Sequence, residues 1–317
     1  MTSSGYLIDS VLNIIRQNKM ISVIIPSRSE LYLQKTVDDV LNKARGEIEV
    51  IVVLDGYWPK APLKDDKRVV IIHHGELSSN FGLRTSVNRG VAVSKGEYIM
   101  KIDDHSALDE GFDIKLTADC EDNWVVVPRL YSLKDEGWTK DENGRATFDA
   151  GHVTYPPTEG TLSGKPWKWW NENRKDILID DCMLSAGACY FMKRSHWNQL
   201  GLFDEKNYGA FPSLENLEVC LKTWLSGGRV VTNKKTWCAH RWGERGPKNK
   251  GWNYSNGQIR KSKENRVAAV KYTNDFWLNN RWPDRVHDFE WVINKFWPVP
   301  GWPDNWKEEI KKWPGLI

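Results

Sequence analysis

Cysteine is scarce in this chain of 317 residues, and its five copies form no CxxC pair. An odd number of widely spaced cysteines is not typical of a disulfide framework, and zinc sites built from cysteine use paired spacings that are missing here. We therefore predict reduced thiols and a cytoplasmic protein, in the host cytoplasm if the chain is viral. A zinc site built from cysteine is not expected.

The chain also lacks a long apolar run and a strong charge of one sign. Its 45 basic and 42 acidic side chains give a formal net charge of +3, so the overall balance demands neither a nucleic acid nor a membrane as partner. In residues 1–19, Leu7, Val11, Leu12 and Ile15 recur at helical spacing between polar residues. This spacing predicts an amphipathic helix, not a signal peptide or membrane span, and hence a soluble protein with no transmembrane segment.

Two common phosphate-binding signatures are missing as well. Neither GxGxxG nor GxxxxGK[ST] occurs, which argues against a dinucleotide dehydrogenase and a P-loop enzyme. Short, nearly apolar runs at 21–26, 48–54 and 69–73 alternate with helical patterns, which is typical of strands buried on both faces of a parallel α/β sheet. Asp55 follows the second strand, where it either touches a nucleotide base or ribose or starts a turn before Gly56.

The stretch that follows the next strand carries the most chemistry. An apolar run at Tyr98–Ile102 ends abruptly in Asp103, Asp104 and His105. A buried strand can deliver such side chains to the edge of a sheet, where they would bind a divalent ion that also contacts substrate phosphates. The alternative is that the two aspartates start a turn and cap the next helix.

Eight segments of the chain occur in an order that matches one enzyme family. They are SVIIP at 22–26, GLRTSVNRG at 82–90, DDH at 103–105, SAGACYFM at 185–192, LGLFDE at 200–205, ENLE at 215–218, CAHR at 238–241 and the helical pattern at 265–277. This order resembles glycosyltransferases of the GT-A fold, broadly family 2, and most closely the catalytic domain of polypeptide N-acetylgalactosaminyltransferases. The resemblance implies an α/β fold with a Rossmann-like, mostly parallel sheet flanked by helices, followed by a helical, Trp-rich extension.

The resemblance also implies a set of site residues. A divalent ion, Mn²⁺ or Mg²⁺, would be held by Asp103, His105 and His240, and mixed carboxylate and imidazole ligation suits Mn²⁺ better. The donor would be a nucleoside-diphosphate sugar, first of all a UDP-sugar. The predicted donor-binding residues are Pro26, Arg28, Glu30, Asp55, Arg84, Asp103, Gly187, Ala188 and Arg241. For Arg84 the alternative is an exposed helical arginine without a role in binding. For Gly187 and Ala188 the alternative is ordinary packing of a strand.

Three carboxylates are the predicted catalytic residues. Asp104 would face the donor ribose or sugar, while Glu215 and Glu218, three residues apart on one helix face, would act on the acceptor side. Inverting family-2 enzymes have an Asp after the first Glu, and that Asp removes the acceptor proton. Asn216 stands there instead, so we expect retention of configuration. The stretch 211–214 differs from the paired glycines of the family, which leaves the donor sugar open.

A basic segment is compatible with more than one class of acceptor. Nine Lys and Arg side chains fall within 241–271, interleaved with Trp242, Trp252 and Tyr254, and the glycines of 241–260 predict a mobile lid over the donor phosphates. We expect a hydroxyl of a protein or glycan as acceptor. The same segment could hold DNA, so one alternative is a phage-type enzyme that glycosylates hydroxymethylated bases. A non-catalytic sugar- or nucleic-acid-binding module is another, against which the three metal ligands argue.

The chain is predicted to have three parts. They are an N-terminal helix (1–19), a catalytic domain (20–280, with a nucleotide-binding half 20–106 and an acceptor half 107–280) and a Trp- and Pro-rich extension (281–317). Residues 131–175 are expected to be irregular and to recognise the acceptor. The tryptophans of the extension either cover the core or form an acceptor platform.

Overall fold

A computed structural model describes residues 20–28, 31–76, 80–144, 147–211, 213–242 and 256–313, and for 256–264 the backbone only. The predicted helix at 1–19, the predicted donor contact Glu30 and most of the predicted lid lie outside the described residues. The bounds of the elements below refer to this described part of the chain.

Twelve strands are described, ten of them in one mixed sheet and two in a small antiparallel ribbon. Their bounds are β1 Ile21–Ser27, β2 Ile48–Asp55, β3 Val69–His74, β4 Tyr98–Ile102, β5 Ser106–Leu108, β6 Trp124–Lys134, β7 Thr139–Asp141, β8 Gly151–Val153, β9 Gly164–Pro166, β10 Ile179–Asp181, β11 Cys189–Lys193 and β12 Arg229–His240. The main order is β10-β12-β6-β11-β4-β1-β2-β3, with β5 beside β12 and β7 beside β6.

The predicted parallel α/β half is confirmed. Strand β1 runs parallel to β2 and β4, and β2 runs parallel to β3. Strand β11 is inserted antiparallel between β4 and β6, and β10 is antiparallel to β12. The sheet is therefore mixed in its second half, where β6 and β12 run parallel to each other and β11 and β10 run antiparallel beside them.

Eleven helices are described, and the longer ones cover both faces of the sheet. Their bounds are α1 Leu33–Lys43, α2 Leu83–Val93, α3 Phe112–Ala118, α4 Pro156–Glu159, α5 Lys168–Asn173, α6 Arg194–Leu200, α7 Glu205–Tyr208, α8 Glu215–Leu225, α9 Asn256–Leu278, α10 Phe289–Lys295 and α11 Trp306–Lys312. Val37 of α1 shares a core cluster with Val23 and Ile25 of β1. Ile24, between them, packs instead with Val87 of α2, so alternate residues of one strand serve two cores.

The fold brings distant parts of the chain to one edge of the sheet. Because β1, β2 and β4 are parallel, their carboxyl ends lie at the same edge. After β4, a short turn leads into β5, which pairs antiparallel with the end of β12 and sets Ser106 opposite His240. The turn at 103–105 therefore lies beside a residue that is more than one hundred positions away in sequence.

The C-terminal tryptophans are mainly core residues. Trp282, Trp302 and Trp306 are buried in the cluster that also contains β-sheet residues, and the indole of Trp302 donates to the Val153 carbonyl at 3.0 Å. Trp297, by contrast, is exposed (39 %). This packing supports the core-covering alternative over an acceptor platform.

The prediction that 131–175 is irregular is wrong in part. The segment contains the end of β6, the short strands β7 to β9, and helices α4 and α5. The strands are only three residues long, too short to give an alternating pattern between the glycines and prolines. Within this segment Trp167 is buried and Trp169 is exposed.

Two further findings concern the cysteines and the length of the helices. All five cysteines are buried free thiols. Among the described helices, none combines the length and the apolar character that crossing a membrane would require.

Candidate metal centre

Asp103, His105 and His240 come together where β4, β5 and β12 meet. Each offers a ligand atom, and these atoms lie within 4.8 Å of one another. The Nε2 atom of His240 is 3.1 Å from Oδ2 of Asp103, and the two imidazole centroids are 4.5 Å apart. The Asp103 amide donates to the Ala188 carbonyl at 3.0 Å, so the backbone of β11 fixes the turn that carries the first ligand.

The residues present fit a divalent ion. One carboxylate and two imidazoles give a mixed oxygen and nitrogen donor set, which is suited to Mn²⁺. Among the described residues, Nδ1 of His240 is buried and has no hydrogen-bond partner, an arrangement that is costly unless another group uses it. Both histidines are only 8 % exposed, which leaves little room for water to satisfy them.

Two of the three predicted ligands have protonation states that suit metal binding. Burial would raise the pKa of the Asp103 carboxyl, but the charge of Lys101 and the hydrogen bond with His240 outweigh it and keep the pKa well below its usual range. Burial lowers the pKa of His240, and the hydrogen bond with Asp103 only partly offsets this. An ionised carboxylate and a neutral imidazole are the forms that bind metals. For the third ligand, His105, burial lowers the pKa, but the hydrogen bond with Asp104 and the charge of Asp104 raise it more, so this imidazole must lose a proton before it can bind an ion.

Lys101 is a buried cation beneath this site. The side chain is fully buried, and its Nζ lies 2.5 Å from Oδ1 of Asp103 and 2.6 Å from the Gly187 carbonyl oxygen. Burial lowers the pKa of Lys101, but the nearby carboxylates of Asp103 and Glu215 raise it more. The sequence analysis missed this residue, although a lysine inside the apolar run of β4 was a signal, because a buried ammonium needs partners.

The carboxylate of Asp104 is bound by the side chains of His105 and Ser27. Its Oδ1 is 2.7 Å from Nδ1 of His105, and its Oδ2 accepts from the hydroxyl of Ser27 at 2.5 Å. The Ser27 hydroxyl is also 2.6 Å from the hydroxyl of Tyr57. Both Asp104 oxygens are thus engaged by protein groups, which does not support the predicted contact with the donor.

Glu215 lies close to the metal group and at the start of α8. The residue is buried, and a Cβ atom placed on Gly187 would lie 2.2 Å from its Oε1. Burial raises the pKa of Glu215, and the charges of Lys101 and Arg84 only partly offset this. The next side chain, Asn216, donates to the Ser185 carbonyl at 2.7 Å. Because Gly187 has no side chain, the Glu215 carboxylate can lie against its backbone.

Glu218 and Arg84 form a buried structural pair, which argues against both predicted roles. The Arg84 Nε atom is 2.9 Å from Oε2 of Glu218, and its other nitrogens donate to the Phe211 and Ser213 carbonyls. Neither side chain is more than 1 % exposed. Both side chains are used inside the protein: Glu218 pairs with Arg84 and Lys222, and Arg84 also binds two backbone carbonyls.

Asp55 is also used internally. It is 1 % exposed and accepts from the amides of Phe81 and Gly82 at 2.8 and 2.7 Å. These bonds anchor the loop before α2, and both interpretations of Asp55, a base or ribose contact and a turn start before Gly56, remain predictions. Arg241 contacts Asp135 at 2.9 Å beside the metal group.

The remaining predicted donor contacts lie near the same edge of the sheet. Pro26 belongs to β1 and Arg28 follows its end, while Ala188 precedes β11 and accepts from the Asp103 amide. Their positions do not test whether these residues contact a nucleotide, so their roles remain predictions.

Known proteins show the same arrangement of sheet and helices. The chain matches the crystal structure of GalNAc-T7 with UDP, GalNAc and Mn²⁺ at a TM-score of 0.59 and 17 % identity, over 93 % of this chain and 58 % of that one. It matches S. aureus TarS residues 1–349 at a TM-score of 0.50 and 12 % identity, over 86 % of this chain and 68 % of that one. The fold is therefore the GT-A fold of glycosyltransferases.

The family is shown by sequence. This chain belongs to glycosyl transferase family 2, whose model matches residues 22–201. Glycosyltransferase GlyG of Streptococcus pneumoniae serotype 4 is 30 % identical over 127 residues, which is 37 % of this chain and 41 % of GlyG. EpsH of Bacillus subtilis strain 168, whose name marks its glycosyltransferase activity as unproven, is 26 % identical over 150 residues, 44 % of this chain and 42 % of EpsH. The chain thus spans about two fifths of the length of these curated relatives.

Proposed function

We propose that this protein transfers a sugar from a nucleoside-diphosphate sugar, first of all a UDP-sugar, to a hydroxyl group of a protein or glycan. The observation that carries the proposal is the convergence of Asp103, His105 and His240 at the carboxyl edge of a family-2 sheet. In open α/β sheets this edge is where ligands bind. A divalent ion bound there would act as a Lewis acid beside the leaving diphosphate.

The protein's own groups have separate tasks in this proposal. Asp103, His105 and His240 hold the ion, and Lys101 keeps the Asp103 carboxylate ionised and in place. Glu215 contacts the donor sugar on the acceptor side, where its buried carboxyl group offers a polar partner for a sugar hydroxyl. The backbone at Gly187 and Ala188 allows the sugar to approach closely.

Retention of configuration is part of the proposal. An inverting reaction requires a base that removes the acceptor proton. The Asn216 amide cannot accept that proton, and it is already bound to the Ser185 carbonyl. With a UDP-α-sugar, we expect an α-configured product, measured from the coupling of its anomeric proton by NMR. A β-configured product would overturn retention without touching the metal site.

The acceptor class needs its own experiment. The protein is incubated with several nucleotide sugars and Mn²⁺, together with glycans, peptides or DNA that contains hydroxymethylcytosine, and the products are weighed by mass spectrometry. Transfer to a glycan or peptide supports the proposal. Transfer to DNA alone would establish the alternative acceptor, and metal-independent nucleotide binding without transfer would favour a binding module.

We also propose a cytoplasmic location, supported by the five buried free thiols and tested by fractionation of the producing cell. Recovery in an oxidising compartment would contradict it.

A further inference from the structure

We infer that Asp104 is a positioning residue that fixes the tautomer of His105, and that Ser27 and Tyr57 hold it in place. The inference rests on the proposed metal site. It assigns to Asp104 a role toward the metal ligand in place of a contact with the donor.

The contact between Asp104 and His105 determines which ring nitrogen carries the proton. Oδ1 of Asp104 is 2.7 Å from Nδ1 of His105, and an ionised carboxylate can only accept a hydrogen bond. Nδ1 must therefore carry hydrogen, so the lone pair of the neutral ring is on Nε2. Nε2 is buried and becomes the nitrogen that is offered to the ion. A carboxylate that orients a ligating histidine in this way is a common support of metal sites.

Two hydroxyl groups fix the carboxylate itself. Ser27 ends β1 and donates to Oδ2 of Asp104 at 2.5 Å, and its oxygen is 2.6 Å from the Tyr57 hydroxyl. Because a serine hydroxyl has one hydrogen, and here it points to Asp104, Tyr57 must donate to Ser27. The order of donation is Tyr57 to Ser27 to Asp104, with His105 donating to Asp104 from the other side.

The strand order explains why this chain of contacts exists. β1 lies between β2 and β4. Ser27, at the end of β1, therefore lies between Tyr57, which follows β2, and the turn after β4. Asp104 is only 12 % exposed and His105 10 %, so water competes little for these bonds.

The test measures Mn²⁺ affinity without nucleotide, by the EPR signal of free Mn²⁺, in the full-length protein and its variants. We expect Asp104→Ala to weaken Mn²⁺ binding about 10- to 100-fold. Asp104→Asn, whose oxygen can still accept from Nδ1, should lose less, and Ser27→Ala should lose less than Asp104→Ala. Asp122→Ala, which removes a carboxylate that is 90 % exposed and far along the sheet, is the matched control and should bind as wild type does.

A second readout does not need metal. Long-range ¹H–¹⁵N NMR of the metal-free protein reports the tautomer of His105, and we expect the Nδ1–H form in wild type and a mixture of tautomers in Asp104→Ala. If Asp104→Ala fails to fold, Ser27→Ala carries the test through both readouts.

Three outcomes would overturn the inference. One is wild-type Mn²⁺ affinity and an unchanged tautomer in Asp104→Ala, while His240→Ala loses binding. Another is a loss of UDP-sugar affinity at unchanged Mn²⁺ affinity, which would make Asp104 a donor contact. If wild type itself binds no Mn²⁺, the metal site and this inference both fail. Metal binding that depends on Asp104 without any sugar transfer would sustain the inference and refute the proposed function.

Discussion

The ion pair between Arg84 and Glu218 is out of reach of solvent, so its loss should cost stability. Glu218 is 1 % exposed and would remain charged and partly unpaired in Arg84→Met. Breaking a buried pair from one side costs about 3 kcal/mol or more. We predict a loss of this size in the free energy of unfolding, measured by urea denaturation.

Arg281→Ala is the control for this prediction. Its pair with Asp275 is mostly exposed, so its loss should cost less than about 1 kcal/mol. If Arg84→Met melts as wild type does but binds UDP more weakly, Arg84 is a phosphate contact after all.

Gly187 allows Glu215 to approach the strand edge. In Gly187→Ala, the new Cβ would lie 2.2 Å from Oε1 of Glu215, and the carboxylate, as the far end of a flexible side chain, would move. We predict a loss of about 1 kcal/mol or less in stability, but a loss of transfer activity of at least about tenfold, since a small misplacement is costly in catalysis. Activity assays and thermal melts on the same sample check this.

Gly164→Ala is the matched change, because its Cβ would meet its neighbours only at 3.4 Å. Equal activity of the two variants would show that the position of Glu215 is not important.

At the residue scale, sequence reasoning predicted the three side chains that the structure brings together, but not the contacts that support them. Asp103, His105 and His240 follow from motif order, which the sequence contains. The bonds of Asp104 to Ser27 and His105 depend on the order of β1, β2 and β4 in space, which no local pattern reports. The burial of Arg84 could not be predicted for the same reason, because it is buried by α8, more than one hundred residues later in the sequence.

A buried ion network joins three strands at the level of elements. Lys234 of β12 is 1 % exposed, and its Nζ lies 3.7 Å from Asp149 and 3.5 Å from Asp180 at the end region of β10. Arg129 of β6 binds Asp149 through two hydrogen bonds of 2.8 Å. The network connects β6, β10 and β12 of the main sheet with the segment before β8.

Neighbouring lysines make this network testable. We predict that Lys234→Met costs about 3 kcal/mol of unfolding free energy, because two buried carboxylates lose a shared cation. Lys235→Met, which removes a half-exposed pair with Asp119, should cost less than about 1 kcal/mol. Equal denaturation midpoints for the two variants would contradict a stabilising role of the network.

Elements differ in how far sequence predicts them. The strands β1, β2 and β3 start where the apolar runs start and end within one residue of the predicted ends. Burial on both faces explains the continuous apolar signal of β1 and β2. The same expectation is wrong for β3, which lies at the edge of the sheet and exposes Val70 and Ile71. The strands β5 and β7 to β9 have three residues each and gave no signal of their own. Strands β5 and β7 pair with the longer strands β12 and β6, whereas β8 and β9 pair with each other.

At the scale of the whole molecule, the core cluster that contains residues of α2 and α8 extends into the C-terminal segment. Trp302 and Trp306 belong to the same cluster as residues of α2 and α8, and Tyr155 donates to Glu309 at 2.8 Å. We propose on this basis that residues 20–280 do not fold stably without the residues that follow. The predicted boundary at 280 then separates parts of the sequence but not independent folding units.

Trp302→Ala tests this proposal. Removing a buried indole that also donates to Val153 should cost about 3–5 kcal/mol, while Trp297→Ala, at a more exposed site, should cost much less. Thermal unfolding followed by circular dichroism measures both. A truncation after residue 280 that still unfolds cooperatively at the wild-type temperature would show that the extension is dispensable.

The central claim concerns the metal site and is tested most directly by one binding measurement. Isothermal titration of UDP-sugar is carried out with Mn²⁺, with EDTA, and with the Asp103→Ala variant in the presence of Mn²⁺. We predict tight binding only in the first case, because the ion joins the protein to the diphosphate and Asp103 is one of its ligands. Equal UDP-sugar affinity in all three samples would contradict the account.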